Sequence, residues 1–272
     1  MSHRQDIVSA GVILMVLCSV LVACSREPVD QQGVIPAATR RAPVTPVSND
    51  CAVRTADAVF VTGLDVYPVP NLAEPVPRQW FVDPTFGTCL IRVTDRERDP
   101  SADDDSRGMV NEYSRVQSFN ADGSRLLVYS IEGWWYLYDA QTLLAFAELP
   151  LGVEPRWHAE DPALIYYLDE MRLMSYDVAN ETRAEVHDFA GDFPDQDLAA
   201  VWTRFEGRPS RDRRYWGLMA EGQEWLPVAF VVYDREADSV TIRDMRGVPG
   251  VEDDVDHVTI SPLGTYFLAS FD

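Results

Sequence analysis

Three tyrosine-aspartate pairs, Tyr138-Asp139, Tyr176-Asp177 and Tyr233-Asp234, each end a strand-like run of aromatic and β-branched residues. Asp139 and Asp177 stand 38 residues apart and Asp177 and Asp234 57 apart, the longer interval taking an insertion expected around Gly207 to Leu226. Within each interval the apolar residues alternate in four short runs separated by turn residues. A period near 40 with four strands per unit cannot bury itself one unit at a time, because each sheet exposes two apolar faces that only neighbouring units cover. The expected fold is all-β, a β-propeller built of four-stranded blades.

The first unit runs through Arg115-Val116-Gln117-Ser118-Phe119, the turn Asn120 to Gly123, Leu126 to Tyr129 and Trp134 to Asp139, ending at Leu143 to Leu149. The second has Arg156-Trp157-His158, Leu164 to Tyr167 and Leu173 to Asp177. The third has Trp202-Thr203-Arg204, Tyr215 to Met219 and Phe230 to Asp234. A fourth begins at His257 to Ile260, turns at Ser261-Pro262-Leu263-Gly264 and reaches Tyr266 to Leu268. Asp-Gly and Ser-Pro-x-Gly segments suit tight hairpins. Phe81 to Val110 is counted as one further blade, giving four to five blades across 58–272. A propeller usually closes with 4–8 blades, so the expectation is of a propeller incomplete at the C-terminus.

At the other end Ile7 to Val20 is apolar apart from Ser9, Gly11, Cys18 and Ser19, after a short n-region carrying His3 and Arg4. That layout belongs to a secretory signal, although a single spanning helix has the same length. Leu21-Val22-Ala23-Cys24 resembles the lipobox of bacterial lipoproteins. The resemblance implies a signal peptide at 1–23, a lipidated Cys24 and membrane attachment through acyl chains. Ser25 after the cysteine is compatible with outer-membrane sorting. Residues 24–57, rich in Pro, Val, Ala, Gln and Arg, read as a Pro-rich tether. The expected location is the cell envelope, lipid-anchored, at the outer membrane facing the periplasm or the exterior.

The formal charge is -21, and every one of the 23 basic residues is arginine. Such a balance argues against nucleic acid and against docking on anionic headgroups through the protein surface. With Cys18 in the signal and Cys24 lipidated, Cys51 and Cys89 are left as a possible disulfide in an oxidising compartment. No Cys/His cluster points to zinc, and no GxSxG, HExxH, P-loop or GxGxxG element occurs. Asp103-Asp104-Asp105 and Asp253-Asp254 with Asp256 lack the spacing of a calcium loop.

Asn111-Glu112-Tyr113-Ser114-Arg115 through Tyr138-Asp139, with the later Ser-Pro-x-Gly turn, resembles bacterial extracytoplasmic propellers related to the WD-repeat-like and oligogalacturonate-lyase-type superfamily. The resemblance covers roughly Phe81 to Asp272 and describes blades rather than chemistry. Propellers bind ligands where loops lead into the innermost strands. By register the candidates there are Arg115, Gln117, Arg156, His158, Arg204 and His257. The three arginines could grip carboxylates through paired hydrogen bonds, or pair with acidic loops of adjacent blades. The resemblance implies histidine-held divalent metal and an acidic uronate substrate, with His158 and His257 as ligands and Gln117 as a third; two histidines alone make a poor site. The leading expectation is a membrane-anchored binding or scaffolding role with no cofactor, its partner an envelope protein or acidic carbohydrate. The alternative is a metal-assisted lyase or hydrolase acting on acidic carbohydrate.

Overall fold

The computed structural model describes residues 62–67, 71–194, 196–249, 251 and 255–271. Cys24, Cys51, the signal 1–23 and the tether 24–57 lie outside them. All described residues fall within the unit Val44–Asp272.

Short alternating strands joined by hairpins give three four-stranded antiparallel sheets of sequential order. The first comprises β3 (Met109–Val110), β4 (Arg125–Ser130), β5 (Trp135–Asp139) and β6 (Ala145–Leu149). The second comprises β7 (Val153–Trp157), β8 (Leu164–Asp169), β9 (Arg172–Asp177) and β10 (Thr182–Asp188). The third comprises β11 (Leu198–Trp202), β12 (Tyr215–Gly222), β13 (Pro227–Asp234) and β14 (Ser239–Asp244). Two-stranded sheets flank them in sequence: β1 (Trp80–Val82) with β2 (Cys89–Ile91), and β15 (Val255–Ile260) with β16 (Phe267–Phe271). This is the all-β, propeller-type arrangement of four-stranded blades. Among the described residues, no helix is long and apolar enough to cross a membrane.

The physical basis of the Tyr-Asp repeat is visible in each blade. Tyr138, Tyr176 and Tyr233 are buried, because the third strand presents them to the neighbouring sheet. The aspartate that follows caps the turn into the fourth strand. Asp139 accepts from the backbone N–H groups of Gln141 and Thr142, Asp177 from those of Ala179 and Asn180, and Asp234 from those of Glu236 and Ala237. These are the Asx turns that a short acidic side chain makes with its own backbone.

Alternation then divides each strand between two interfaces. Trp135 and Leu137 pack toward the second blade with Ile165 and Tyr167, while Tyr136 and Tyr138 pack the other way with Met109 and Val128. Tyr166 and Leu168 meet Trp216, Leu218 and Val231 between the second and third blades. Met219 and Val258 lie in the interface of the third blade with β15.

Three expectations need correction. Phe81 to Val110 is not a blade: only β1 and β2 pair there, and Met109–Val110 joins the next sheet. The charged loop between them turns inward at Asp104, which is buried and accepts from Tyr136 Oη (2.7 Å), Ser130 Oγ (3.0 Å) and Ser106 N (3.0 Å). Arg115 to Phe119 is not a continuous strand either; only Phe119 bridges to Leu126. Finally, the extra length of the third unit is not confined to Gly207 to Leu226 but falls on both sides of β11, only part of it within that range. It lies at 189–197, which holds a 3₁₀ turn at Phe189–Asp192, and at 203–214.

Candidate functional site

Two of the inner strands leave their sheets and come back. Met109 and Val110 pair with Ser130 and Tyr129; the chain then departs at Asn111 and returns at Ser118, whose carbonyl accepts from Leu127 N (2.9 Å). In the third blade the chain departs after Trp202 and returns at Ser210, whose N–H donates to Tyr215 O (2.8 Å). The excursions 111–117 and 203–209 approach each other across β7. Asn111 Nδ2 holds the first by donating to Tyr113 O and Val116 O. The second passes so close to β15 that a Cβ on Gly207 would lie 2.1 Å from Val258 O, so no side chain fits there.

Buried charge fastens the second excursion. Glu154 sits at the bulge in β7 with φ 53°, and this left-handed backbone turns its carboxylate inward. The carboxylate accepts from Thr203 N (3.0 Å), Thr203 Oγ1 (2.7 Å) and Phe205 N (2.7 Å). Arg156, two residues on, donates to Glu112 Oε2 (2.5 Å) and to the carbonyls of Pro155, Phe205 and Gly207. Arg204 grips the fully buried Glu221, which also accepts from Trp202 Nε1 (2.7 Å). Burial raises the Glu221 pKa, opposed by Trp202 and Arg204. Glu206, Asp256 and His257 form a fourth cluster with ligand atoms within 4.8 Å of one another, and Arg115 Nη1 stands 3.4 Å from Glu206 and 3.3 Å from His257 Nε2.

Beyond this network, at the end where inner strands run out into the first hairpins, lies a cavity of ≈ 550 Å³. Trp157, Pro209, Ile260 and Leu268 supply apolar wall, and Arg156, Arg208, Arg211 and Arg213 supply charge. Among the described residues none of Arg208, Arg211 and Arg213 has a carboxylate in ion-pair contact, unlike their neighbours Arg156, Arg204 and Arg214. Arg213 spends its donors on the carbonyls of Trp157 (2.8 Å), Ser210 (3.2 Å) and Arg211 (3.2 Å), which orient it without neutralising it. Burial lowers the Arg213 pKa, and the nearby Arg156 and Arg208 lower it further. Arg208 is lowered by burial, then by Arg156 and Arg115. Cations without an ion-pair partner among the described residues, in a chain of net charge -21, are the electrostatic mark of an anion site.

The six expected residues are distributed as follows. Gln117 and Arg156 line the cavity. Arg115 and His257 belong to the Glu206 cluster, and Arg204 is spent on Glu221, the Val255 carbonyl and the Trp225 carbonyl. His158 stands apart: its Nδ1 accepts from Glu160 N (3.1 Å) and Asp161 N (2.9 Å), capping a turn, and burial lowers its pKa. His158, Gln117 and His257 are therefore not gathered as a ligand set; the carboxylates around His257 are Glu206 and Asp256. Cys89 is disulfide-bonded, and every other cysteine of the chain lies outside the described residues. The residues missed were Arg208, Arg211 and Arg213. Their signal was the density of arginine in Gly207-Arg208-Pro209-Ser210-Arg211-Asp212-Arg213-Arg214, inside the segment that breaks the 38-residue period.

No family model matches the chain, and no curated protein matches it. Among solved structures it is similar to an oligogalacturonate lyase from Vibrio parahaemolyticus, at 14% identity and TM-score 0.49, covering 71% of this chain and 53% of that one. It is also similar to an oligogalacturonate lyase in complex with manganese, at 16% identity and TM-score 0.45, covering 70% and 58%. A chain of a mitotic checkpoint complex is 13% identical with TM-score 0.36, covering 57% and 46%. The chain thus spans little more than half the length of the two lyases, and no site residue is carried over from them.

Proposed function

We propose that this chain is a cell-envelope propeller, lipid-anchored at Cys24, that binds an acidic ligand in the arginine-lined cavity. The observation that carries the reading is the set of three arginines, Arg208, Arg211 and Arg213, lining one cavity without carboxylate partners among the described residues. Guanidinium groups present planar pairs of donors that match a carboxylate. The apolar stretch of Trp157, Pro209 and Ile260 offers a surface for the body of the molecule. A uronate-type oligosaccharide has both features.

The full chain in detergent is expected to bind a galacturonate trimer and not the neutral galactose trimer, by titration calorimetry. Arg208→Ala combined with Arg211→Ala should weaken binding about 100- to 200-fold, each charge-assisted contact contributing roughly 1.5 kcal/mol. Equal binding of the neutral sugar, or an unaffected double variant, would sink the reading. For the anchor, growth with an alkyne-tagged fatty acid should label the wild type and leave Cys24→Ser unlabelled.

A second reading, metal-assisted chemistry on an acidic carbohydrate, has one observation in its favour: Glu206, Asp256 and His257. Two carboxylates and an imidazole suit a divalent ion such as manganese, and a bound ion would supply Lewis-acid polarisation of a substrate oxygen. Against it, Arg115 already places a positive charge on Glu206 and His257. Stoichiometric manganese retained through dialysis and lost in Asp256→Asn would favour this reading over simple binding.

A further inference from the structure

Arg156 belongs both to the cavity and to a buried acid behind it. Arg156 is one of the residues lining the cavity, while its Nη1 donates to Glu112 Oε2 at 2.5 Å. The Glu112 side chain is only 4% exposed, and its other oxygen, Oε1, is buried with no hydrogen-bond partner among the described residues. A lone carboxylate oxygen away from water is costly when charged and cheap when protonated. We propose that Glu112 takes up a proton when an anion enters the cavity, so that ligand capture is proton-coupled. This rests on the reading that the cavity takes an anion.

The coupling follows from how charge is shared. With Glu112 ionised, Arg156 is neutralised from behind, because its remaining contacts go to the carbonyls of Pro155, Phe205 and Gly207. With Glu112 protonated, the guanidinium charge is no longer neutralised, and its field, already felt by Arg208 and Arg213, acts on the cavity. An anion there draws on Arg156 and adds a negative charge near Glu112, and both changes raise the proton affinity of Glu112. The charged and titratable groups facing Glu112 are Arg156 and Glu154 on β7 and Tyr129 on β4; Arg208 and Arg213 act on it through Arg156. Burial pushes the Glu112 pKa up to about 7; Arg156 opposes the shift, the Glu154 carboxylate adds to it, and the Glu154 backbone N–H opposes it. The exchange therefore falls at neutral pH. Since the bound form has the higher pKa, affinity is low above it, rises as pH falls toward 7, and levels off below.

The test is titration calorimetry of the full chain in detergent with a galacturonate trimer, whose own carboxyls do not titrate in this range. Binding is expected to be about fivefold or more tighter at pH 6 than at pH 9. At pH 7.5, buffers of different ionisation enthalpy should reveal uptake of roughly half a proton per ligand. Glu112→Gln, which keeps shape and an acceptor for Arg156, should bind with no uptake and a flat pH profile. Binding by the wild type without proton uptake, or uptake that persists in Glu112→Gln, overturns this inference alone. Failure of the trimer to bind at any pH overturns the cavity reading and this inference with it.

Discussion

Replacing Glu154 with alanine is expected to lower the unfolding free energy by about 3–5 kcal/mol, a large part of a typical domain's stability. The carboxylate is 2% exposed as a residue and serves Thr203 N, Thr203 Oγ1 and Phe205 N. Alanine would leave buried backbone donors without an acceptor, each costing about 1–3 kcal/mol. It would also leave a non-glycine residue at φ 53° with nothing to hold it there. Because Glu154 pins the excursion 203–209 that leads directly to Arg208, anion binding should fall together with stability. Glu154→Gln keeps one acceptor oxygen and should lose less, about 1–2 kcal/mol. Equilibrium unfolding in urea checks both; a loss below 1 kcal/mol for alanine would show that the carboxylate does not hold the loop.

Trp216→Ala is the second large effect, about 3–5 kcal/mol by the usual cost of emptying an aromatic site in a core. Trp216 is 2% exposed, stacks edge-on against Tyr166 with ring centroids 5.8 Å apart, and fills the interface of the second and third blades. Its Nε1 donates to Arg213 O (3.1 Å), and Arg235 Nε donates to the same carbonyl (3.0 Å). Arg213 itself has φ 62°, so the indole helps keep a strained residue aimed at the cavity. Trp216→Phe should recover most of the stability but not the hydrogen bond. The expected signature is near-wild-type unfolding with a severalfold weaker anion affinity; unchanged affinity would mean that Arg213 is held by its other contacts alone.

The blades were legible because their signals are local. A tyrosine that must be buried and an aspartate that must cap its own turn sit side by side, so Tyr138-Asp139 announces a hairpin wherever it falls. The alternation of Trp134-Trp135-Tyr136 likewise divides correctly between two interfaces. The excursions were not legible, since Arg115 to Phe119 alternates as a strand does. What keeps it out of the sheet is remote: Glu112 meets Arg156 and Arg115 meets Glu206, partners 44 and 91 residues away. The cavity escaped for a similar reason. Arg208, Arg211, Arg213 and Arg214 look alike in sequence, and only the fold shows that Arg214 is taken by Asp234 and Glu236 while the other three make no ion pair among the described residues.

Stacked repeats ordinarily touch only their neighbours, so their stability adds up one interface at a time and the ends can melt while the middle stands. Here the two excursions break that rule. The loop 111–117 of the first four-stranded blade reaches past the second to Glu206 of the third and His257 on β15. Loss of order in the first four-stranded blade therefore removes contacts two blades away, and the sheets from Met109 to Phe271 should behave as one cooperative unit rather than as a row of separable pieces.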